Sequence, residues 1–286
     1  MIRHLFVSSR PLSWVNTAYP FALAYLLLAR PVDPFVLVVG TLYFLVPYNL
    51  AMYGINDVFD YESDLRNPRK GGVEGAVLAP AFHRPTLLAA AITNIPFLVV
   101  LVLLGGPASW LVLLISVFAV VAYSAPVLRF KERPVLDSIT SSTHFVSPAV
   151  YAVALAGSAL DARTLLLLAA FFCWGMASHA FGAVQDVPSD REAGIGSVAT
   201  VLGARTTVLG AAVLYLAAGV FAACSGWPTA LAGLLALPYL AMVLPFAGIT
   251  DATAERANRG WRRFLAINYG AGFAVTMLAI VASALT

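Results

Sequence analysis

Long apolar runs dominate this sequence and restrict the fold that the chain can adopt. Hydrophobic residues make up 60% of the 286 residues and mean hydropathy is +0.86, which excludes an ordinary soluble domain. A helix needs about 20 apolar residues to cross a bilayer. Runs of about that length lie near 12–29, 35–55, 86–104, 108–125, 136–156, 163–184, 206–224, 228–247 and 264–284. Because backbone polar groups in lipid must be satisfied internally, these runs predict an all-α, polytopic bundle of about nine transmembrane helices.

The basic residues predict the orientation of this bundle. If the N-terminus is cytoplasmic, 15 of the 17 lysines and arginines fall on the inner side, and only Arg30 and Arg163 remain outside. Basic residues concentrate on the cytoplasmic side of membrane proteins, so we expect the N-terminus inside and the C-terminus outside. The first apolar run follows Met1–Arg10 directly and lacks a small-residue cleavage site, so we expect a retained helix. The sequence thus predicts a multi-pass protein of the cell (cytoplasmic) membrane, with no nucleic-acid partner.

The helices are expected to form a single membrane domain, 1–286. Within it, Asp57 and Asp186 each follow the second predicted helix of one half of the chain. This spacing suggests two related halves, 1–135 and 136–286, although residue identity between them is weak.

Two acid-rich segments interrupt the apolar pattern and hold seven of the fourteen acidic residues. In the first, Asp57, Asp60 and Asp64 are spaced i,i+3 and i,i+4, so a helix that continues past Asn56 places all three carboxylates on one face. Carboxylates at the membrane edge are costly and usually mark function. Such a cluster suits Mg²⁺ held between carboxylate and phosphate oxygens, with the Asn56 amide as a neutral ligand or an orienting hydrogen-bond donor. A solvated acidic helix end is the alternative, but a second cluster repeats the pattern.

The second segment places Asp186 and Asp190 on either side of Pro188. Proline is tolerated in the first turn of a helix and disrupts the interior, so we expect the helix to break here and the two acids to straddle a turn. Gly194 and Gly196 follow, and glycines at these positions would let the backbone approach a ligand closely.

Basic and polar residues near the two motifs are candidates for binding phosphate. Arg129 and Lys131 follow the fourth apolar run, and arginine and lysine are the side chains that contact phosphate oxygens most readily. Arg66 and Lys70 follow the first motif, and for all four the ordinary positive-inside pattern is the alternative explanation. Asn49 is seven residues before Asn56 and shares its helix face. Polar residues elsewhere in the apolar runs, such as His144 and His179, are expected to form interhelical hydrogen bonds.

Three motifs together resemble those of the UbiA superfamily of intramembrane prenyltransferases. They are Asn-Asp-x-x-Asp-x-x-x-Asp at 56–64, Tyr-Ser-x-Pro-x-x-Arg-x-Lys at 123–131 and Asp-x-x-x-Asp-x-x-x-Gly at 186–194. The resemblance implies a diphosphate held by Mg²⁺, with Mn²⁺ as a substitute, and an isoprenoid tail within the helical bundle. It implies metal-binding and catalytic roles for Asp57, Asp60, Asp64, Asp186 and Asp190. It implies diphosphate-binding roles for Asn49, Asn56, Arg66, Lys70, Tyr123, Arg129 and Lys131.

Within this superfamily, the segments 53–64, 66–72 and 190–200 look like those of lycopene elongases. Members of that branch add a C5 unit to each end of lycopene and give C45 and C50 carotenoids. The expected donor is dimethylallyl diphosphate, the expected acceptor is lycopene, and the lipid bilayer surrounds both.

Two alternatives remain open. One is a UbiA-type enzyme that acts on an aromatic or quinone precursor, a chlorophyllide or a lipid glycerol. However, Ser197–Thr200 reads Ser-Val-Ala-Thr where many quinone-type members carry a Thr-Ile-Pro-Thr-like sequence. The other is a cation transporter, which is disfavoured because transporters usually place ionisable groups near the bilayer midplane.

Overall fold

The structure, a computed structural model, describes residues 1–65 and 77–285, apart from the side chains of Ser63 and Asp64. Within these ranges the regular structure is entirely helical. The α-helices are α1 (Ile2–Ser8), α2 (Val15–Leu28), α3 (Pro34–Leu45), α4 (Pro47–Phe59), α5 (Tyr61–Asp64), α6 (His83–Leu104), α7 (Pro107–Ser124), α8 (Leu136–Leu155), α9 (Ala162–Val184), α10 (Val187–Glu192), α11 (Val198–Leu202), α12 (Ala204–Ala223), α13 (Ala236–Val243) and α14 (Asn258–Ala284). Short 3-10 helices occupy Pro11–Ser13, Pro80–Phe82, Phe130–Glu132, Thr229–Leu235, Leu244–Phe246 and Asp251–Ala257.

Seven helical segments of the described chain are long and apolar enough to cross a membrane. They are Pro34–Phe59, Pro80–Leu104, Pro107–Ser124, Ala162–Val184, Ala204–Ala223, Thr229–Phe246 and Asp251–Ala284. The predicted run 12–29 is helical, but α2 has only 14 residues. The run 136–156 corresponds to α8, which is rich in hydroxyl-bearing residues. An all-α membrane fold is therefore confirmed, whereas the count of nine transmembrane helices is not.

Two compact units make up the chain. The first consists of Met1–Phe130 and His144–Ala159, and the second of Lys131–Thr143 and Leu160–Thr286. The chain passes from one to the other near the predicted boundary between the halves 1–135 and 136–286, but residues 144–159 belong with the first unit. The relation between the two halves stays a prediction.

Aromatic residues fill the core of the first unit. Phe21, Tyr43, Phe44 and Tyr151 are fully buried, and the rings of Phe21 and Phe44 lie 5.3 Å apart. Gly40 permits this packing, because a Cβ atom there would lie 2.1 Å from the Phe21 ring. The core therefore brings α2 and α3 close together and supports α4, which carries the first acidic motif.

A break between α3 and α4 lies within the predicted run 35–55. Pro47 has no N–H group, so it cannot continue the hydrogen bonding of α3. The Asn49 side-chain amide donates to the carbonyl oxygens of Phe44 and Leu45 at 2.8 and 3.1 Å and to Thr17 Oγ1 at 2.7 Å. Asn49 is fully buried, and it satisfies carbonyl groups at the end of α3 that apolar surroundings would otherwise leave unpaired.

In the second unit, α9 and α12 pack around Phe181, Val184 and Val208, which are fully buried. The hydroxyl groups of Ser178 and Tyr215 lie 2.9 Å apart and form a hydrogen bond with each other inside the core. The Asp161 carboxylate caps α9 by accepting from the Thr164 backbone N–H, and this bond lowers the pKa of that carboxyl. The packing of this unit thus fixes the position of α9, which ends just before the second acidic motif.

Candidate functional site

The first acidic motif lies at the end of α4. Asp57 is in the last turn of the helix and is fully buried, and Asp60 directly follows the helix and is 4% exposed. The helix continues past Asn56, as predicted, but only to Phe59, and α5 begins at Tyr61. The prediction of one uninterrupted helical face is therefore wrong at Asp60. The Asp64 side chain, Arg66 and Lys70 lie outside the described residues, and their roles stay predictions.

Asn56 orients one carboxylate of this motif. Its side-chain amide donates to Asp60 Oδ2 at 2.5 Å and to Ser124 Oγ at 3.0 Å. Because Ser124 ends α7, this bond fixes the amide between two helices. Of the two roles considered for Asn56, ligand or orienting hydrogen-bond donor, the described contacts to Asp60 and Ser124 are those of a donor, while Asn56 Oδ1 accepts from Arg10 Nη2 at 3.5 Å.

Two guanidinium groups pair with the two buried carboxylates. Arg10 Nη2 lies 3.0 Å from Asp57 Oδ1, and Arg129 Nη2 lies 3.7 Å from Asp60 Oδ1. Arg129 also donates to the Phe59 carbonyl oxygen at 3.4 Å. Buried carboxylates need such partners, because an isolated charge in apolar surroundings is very unfavourable. Arg129 was a predicted site residue, whereas Arg10 was not, since it lies 47 residues from Asp57 and no spacing connects them.

The loop that supplies Arg129 has a strained backbone. Val127 has φ of 74° and Arg129 has φ of 38°, in the left-handed region that residues with a Cβ atom rarely adopt. Such a residue costs on the order of 1–3 kcal/mol, and residues of this kind cluster at functional sites. The Arg129 N–H donates to the Ala125 carbonyl oxygen at 3.0 Å and closes the loop. The conformation turns the chain so that the Arg129 side chain reaches the end of α4.

The remaining predicted residues of the basic motif lie on either side of this loop. Tyr123, in the last turn of α7, packs edge to face on His144 with ring centroids 5.2 Å apart. Lys131 lies in the 3-10 helix Phe130–Glu132 and is half-buried. Asn49 is placed by its contacts at the α3–α4 break, two turns before Asn56, and its diphosphate-binding role stays a prediction.

The second acidic motif begins where α9 ends. The helix ends at Val184, Asp186 is the N-cap residue of α10, and Pro188 lies in the first turn of α10. The predicted break is present but precedes Pro188. Proline fits the first turn of α10, because the N–H groups of a first turn have no acceptor within the helix and proline loses no hydrogen bond there. The Asp190 N–H donates to the Asp186 carbonyl oxygen at 2.8 Å. The two acids therefore stand at the start and in the middle of one short helix.

Arg191 anchors the segment that follows Asp190. Its guanidinium donates twice to the Thr200 carbonyl oxygen, at 3.1 and 2.8 Å, and once to Asp251 Oδ2 at 2.6 Å. Asp251 Oδ1 in turn accepts from the Ala204 N–H at 2.7 Å. An exposed ion pair contributes only about 0–1 kcal/mol, so its effect here is to position α10 relative to α12.

The two glycines after the motif have different roles. Gly194 has φ of 71°, which reverses the chain after α10. A Cβ atom on Gly196 would lie 2.6 Å from the Glu132 carbonyl oxygen. The close approach predicted for Gly196 is therefore to the protein's own backbone in this structure.

A buried carboxylate that the sequence reasoning missed supports the same region. Asp137 is fully buried and accepts from the Val198 N–H at 2.7 Å and from the Ser138 N–H at 2.6 Å. A carboxylate is stabilised at the N-terminus of a helix, here α11. Ser138 Oγ lies 3.1 Å from His179 Nδ1, which confirms the interhelical hydrogen bond expected for His179.

The chemistry of these side chains fits Mg²⁺. Carboxylate and amide oxygens are its preferred ligands, and Mg²⁺ is commonly held by one or two carboxylates together with substrate phosphate oxygens. In the described ranges, no group of three or more histidine, cysteine, aspartate or glutamate side chains gathers as a complete protein cage. Each unit instead offers one aspartate pair, Asp57 with Asp60 and Asp186 with Asp190. Such pairs suit a cation whose remaining ligands come from a diphosphate and water.

Two solved structures share this fold. The structure of a UbiA homologue from Archaeoglobus fulgidus bound to GPP and Mg²⁺ superposes with a TM-score of 0.67, covers 94% of this chain and 99% of its own, and is 16% identical. The structure of a UbiA homologue from the same organism bound to DMAPP and Mg²⁺ gives a TM-score of 0.68, covers 96% and 100%, and is 18% identical. At these identities the likeness establishes the fold.

Sequence relatives are much closer. The C(50) beta-cyclic carotenoids biosynthesis protein LbtBC of Dietzia sp. (strain CQ4) is 59% identical over 281 residues, which are 98% of this chain and 65% of that protein. This chain thus spans about two thirds of LbtBC. The lycopene elongase/hydratase of Corynebacterium glutamicum is 54% identical over 279 residues, which are 98% of this chain and 97% of that protein.

The family model described as the UbiA prenyltransferase family matches residues 17–282, nearly the whole chain and both acidic motifs. Together with relatives at more than half identity over almost every residue, this match leads to one conclusion. The chain belongs to the UbiA prenyltransferase family.

Proposed function

We propose that this protein transfers a dimethylallyl group from its diphosphate to each end of lycopene and so produces C45 and then C50 carotenoids. The observation that carries the catalytic part is the pairing of two buried aspartates with two guanidinium groups at the end of α4. The names of the relatives support the acceptor, since one is a lycopene elongase/hydratase and another a C50 carotenoid biosynthesis protein.

Binding of the donor begins with the aspartates. We assign Asp57, Asp60, Asp64, Asp186 and Asp190 to Mg²⁺. When bound, Mg²⁺ neutralises charge on the diphosphate and favours its departure from the allylic carbon. Asn56 keeps Asp60 in position through the 2.5 Å hydrogen bond. In this proposal Mn²⁺ is able to substitute for Mg²⁺, because the two ions take similar oxygen ligands.

The basic residues then stabilise the leaving group. We assign this role to Arg129 and Lys131, with Arg66 and Lys70, because negative charge on the diphosphate grows as the carbon–oxygen bond breaks. Arg129 is preorganised by the strained loop and by its contact with the Phe59 carbonyl oxygen. Tyr123, Asn49 and Asn56 complete the set of residues that we assign to donor binding.

The acceptor reacts in an apolar environment. Loss of the diphosphate leaves an allylic carbocation, and a terminal double bond of lycopene attacks it to form the new carbon–carbon bond. The apolar bundle excludes water and protects the cation from premature capture. The tertiary cation that results loses a proton or takes up water.

Purified protein in lipid, supplied with lycopene, dimethylallyl diphosphate and Mg²⁺, is expected to yield C45 and then C50 products by mass spectrometry. A C40 polyene offers only carbon–carbon double bonds, which this apolar composition can accommodate without polar groups for an oxygenated ring. Parallel reactions with 4-hydroxybenzoate or a naphthoate serve as controls. If those acceptors are prenylated while lycopene is unchanged, the carotenoid assignment is wrong and the aromatic one is right.

We also propose that the protein lies in the cytoplasmic membrane with its active site on the cytoplasmic side. With 15 of 17 basic residues assigned to one side, a reporter fused after Thr286 is expected outside the cytoplasm and a reporter inserted near residue 258 inside. Accessibility of the two reporters in intact cells measures this. Reversed labelling would contradict the orientation and the side from which the diphosphate enters.

A further inference from the structure

Arg10 lies at the first acidic motif although it is far from it in sequence. Its Nη2 atom lies 3.0 Å from Asp57 Oδ1 and 3.5 Å from Asn56 Oδ1, and the guanidinium carbon lies 4.3 Å above the centre of the Tyr53 ring. Only 18% of the side chain is exposed. Contacts with three residues of α4 therefore hold the Arg10 guanidinium group against Asp57, which we assign to the metal.

Contacts of the N-terminal segment, residues 1–14, position the Arg10 side chain. Trp14 Nε1 donates to the Ser9 carbonyl oxygen at 2.9 Å, and His4 stacks on Phe82 with ring centroids 4.0 Å apart. Arg10 itself has φ of 49°, a left-handed conformation between α1 and the 3-10 helix Pro11–Ser13. Because such a residue carries strain, the surrounding contacts must fix it.

One donor of this guanidinium group is unused within the described part of the chain. Arg10 Nε is buried and has no hydrogen-bond partner among those residues. A buried donor without a partner costs about 1–3 kcal/mol. A planar guanidinium with an unused donor, held beside a carboxylate, can bind a phosphate oxygen in place of the carboxylate oxygen.

We propose that Arg10 couples metal binding to diphosphate binding at this site, a step that rests on the function proposed above. Without diphosphate, the guanidinium occupies Asp57 Oδ1 and opposes a divalent cation at the same carboxylate, because two positive groups at one oxygen repel each other. A diphosphate supplies new acceptor oxygens for the guanidinium and releases Asp57 to the cation. Metal and diphosphate then bind together rather than separately, and free Mg²⁺ alone is held weakly.

The test measures binding and not turnover. Mn²⁺ binding to purified protein in lipid is followed by electron paramagnetic resonance, with and without inorganic pyrophosphate. In the unchanged protein, pyrophosphate is expected to tighten Mn²⁺ binding on the order of a hundredfold. In Arg10→Gln, Mn²⁺ alone is expected to bind several-fold more tightly, and the enhancement by pyrophosphate to fall about tenfold, as expected for loss of one charge-assisted hydrogen bond.

Two further variants complete the experiment. Arg3→Gln removes an exposed basic residue of the same segment and is expected to leave both values unchanged. Arg10→Lys keeps the charge but not the planar guanidinium group. Its enhancement of Mn²⁺ binding by pyrophosphate is expected to lie between that of the unchanged protein and that of Arg10→Gln. If Arg10→Gln does not fold, the comparison is made with Arg10→Lys. Equal enhancement in the Arg10 variants and the unchanged protein would overturn the coupling and leave the proposed function standing. Failure of the unchanged protein to bind Mn²⁺ even with pyrophosphate would overturn both.

Discussion

The Asp60→Asn variant is expected to lose prenyl transfer by about a thousandfold or more while remaining folded in the membrane. In the unchanged protein the Asn56 amide lies 2.5 Å from Asp60 Oδ2. An asparagine at this position keeps the shape of the side chain and still offers an oxygen that accepts from Asn56. What it loses is the negative charge, and with it an anionic metal ligand and the charged partner of Arg129. Removal of one group that stabilises developing charge typically costs 10²–10³-fold in rate, and a lost metal ligand adds to this.

Glu62→Gln is the matched control for this experiment. Glu62 is exposed and lies two residues further along the same acidic segment, so its replacement removes the same charge from the region without changing a proposed ligand. Initial rates of product formation measure both variants at equal amounts of folded protein. Asp60→Asn activity within tenfold of the unchanged protein would contradict the metal-binding role of Asp60.

Removal of divalent metal is expected to abolish activity, and addition of Mg²⁺ or Mn²⁺ to restore it. The described carboxylates that we assign to the metal occur in two pairs, and a pair without a cation cannot neutralise a bound diphosphate. Asp186→Asn is expected to raise the Mg²⁺ concentration needed for half-maximal activity at least tenfold, because one oxygen ligand loses its charge. Full activity of the purified enzyme in excess chelator would refute the metal requirement.

The control for the metal titration is Glu192→Gln. Glu192 ends α10 and is exposed, whereas Asp186 precedes that helix and is half-buried. Its replacement is expected to leave the Mg²⁺ dependence unchanged. A shift of the same size in both variants would indicate general surface electrostatics rather than ligation by Asp186.

The helices and both motifs could be predicted because they depend on local sequence. Apolar runs of bilayer length specify helices wherever they occur, and the nine runs all coincide with helical segments of the structure. The break within 35–55 and the break before Pro188 also have local causes, since Pro47 and Pro188 each lack an N–H group. The count of nine transmembrane helices is not confirmed, because α2 has only 14 residues and α8 is rich in hydroxyl-bearing residues.

The sequence by itself determined an all-α membrane protein, its acidic motifs and the oxygen-rich chemistry that suits Mg²⁺ and diphosphate. Only the tertiary structure decided that Arg10 pairs with Asp57, that Asn49 satisfies the end of α3, and that Asp137 accepts from the first N–H group of α11. Each of these contacts is an ion pair or hydrogen bond whose partner is chosen by packing of the surrounding helices. Spacing along the chain predicts which residues share one helix face, but it holds no signal for a partner on another element. In apolar surroundings every buried polar group must find such a partner, so the packing selects it.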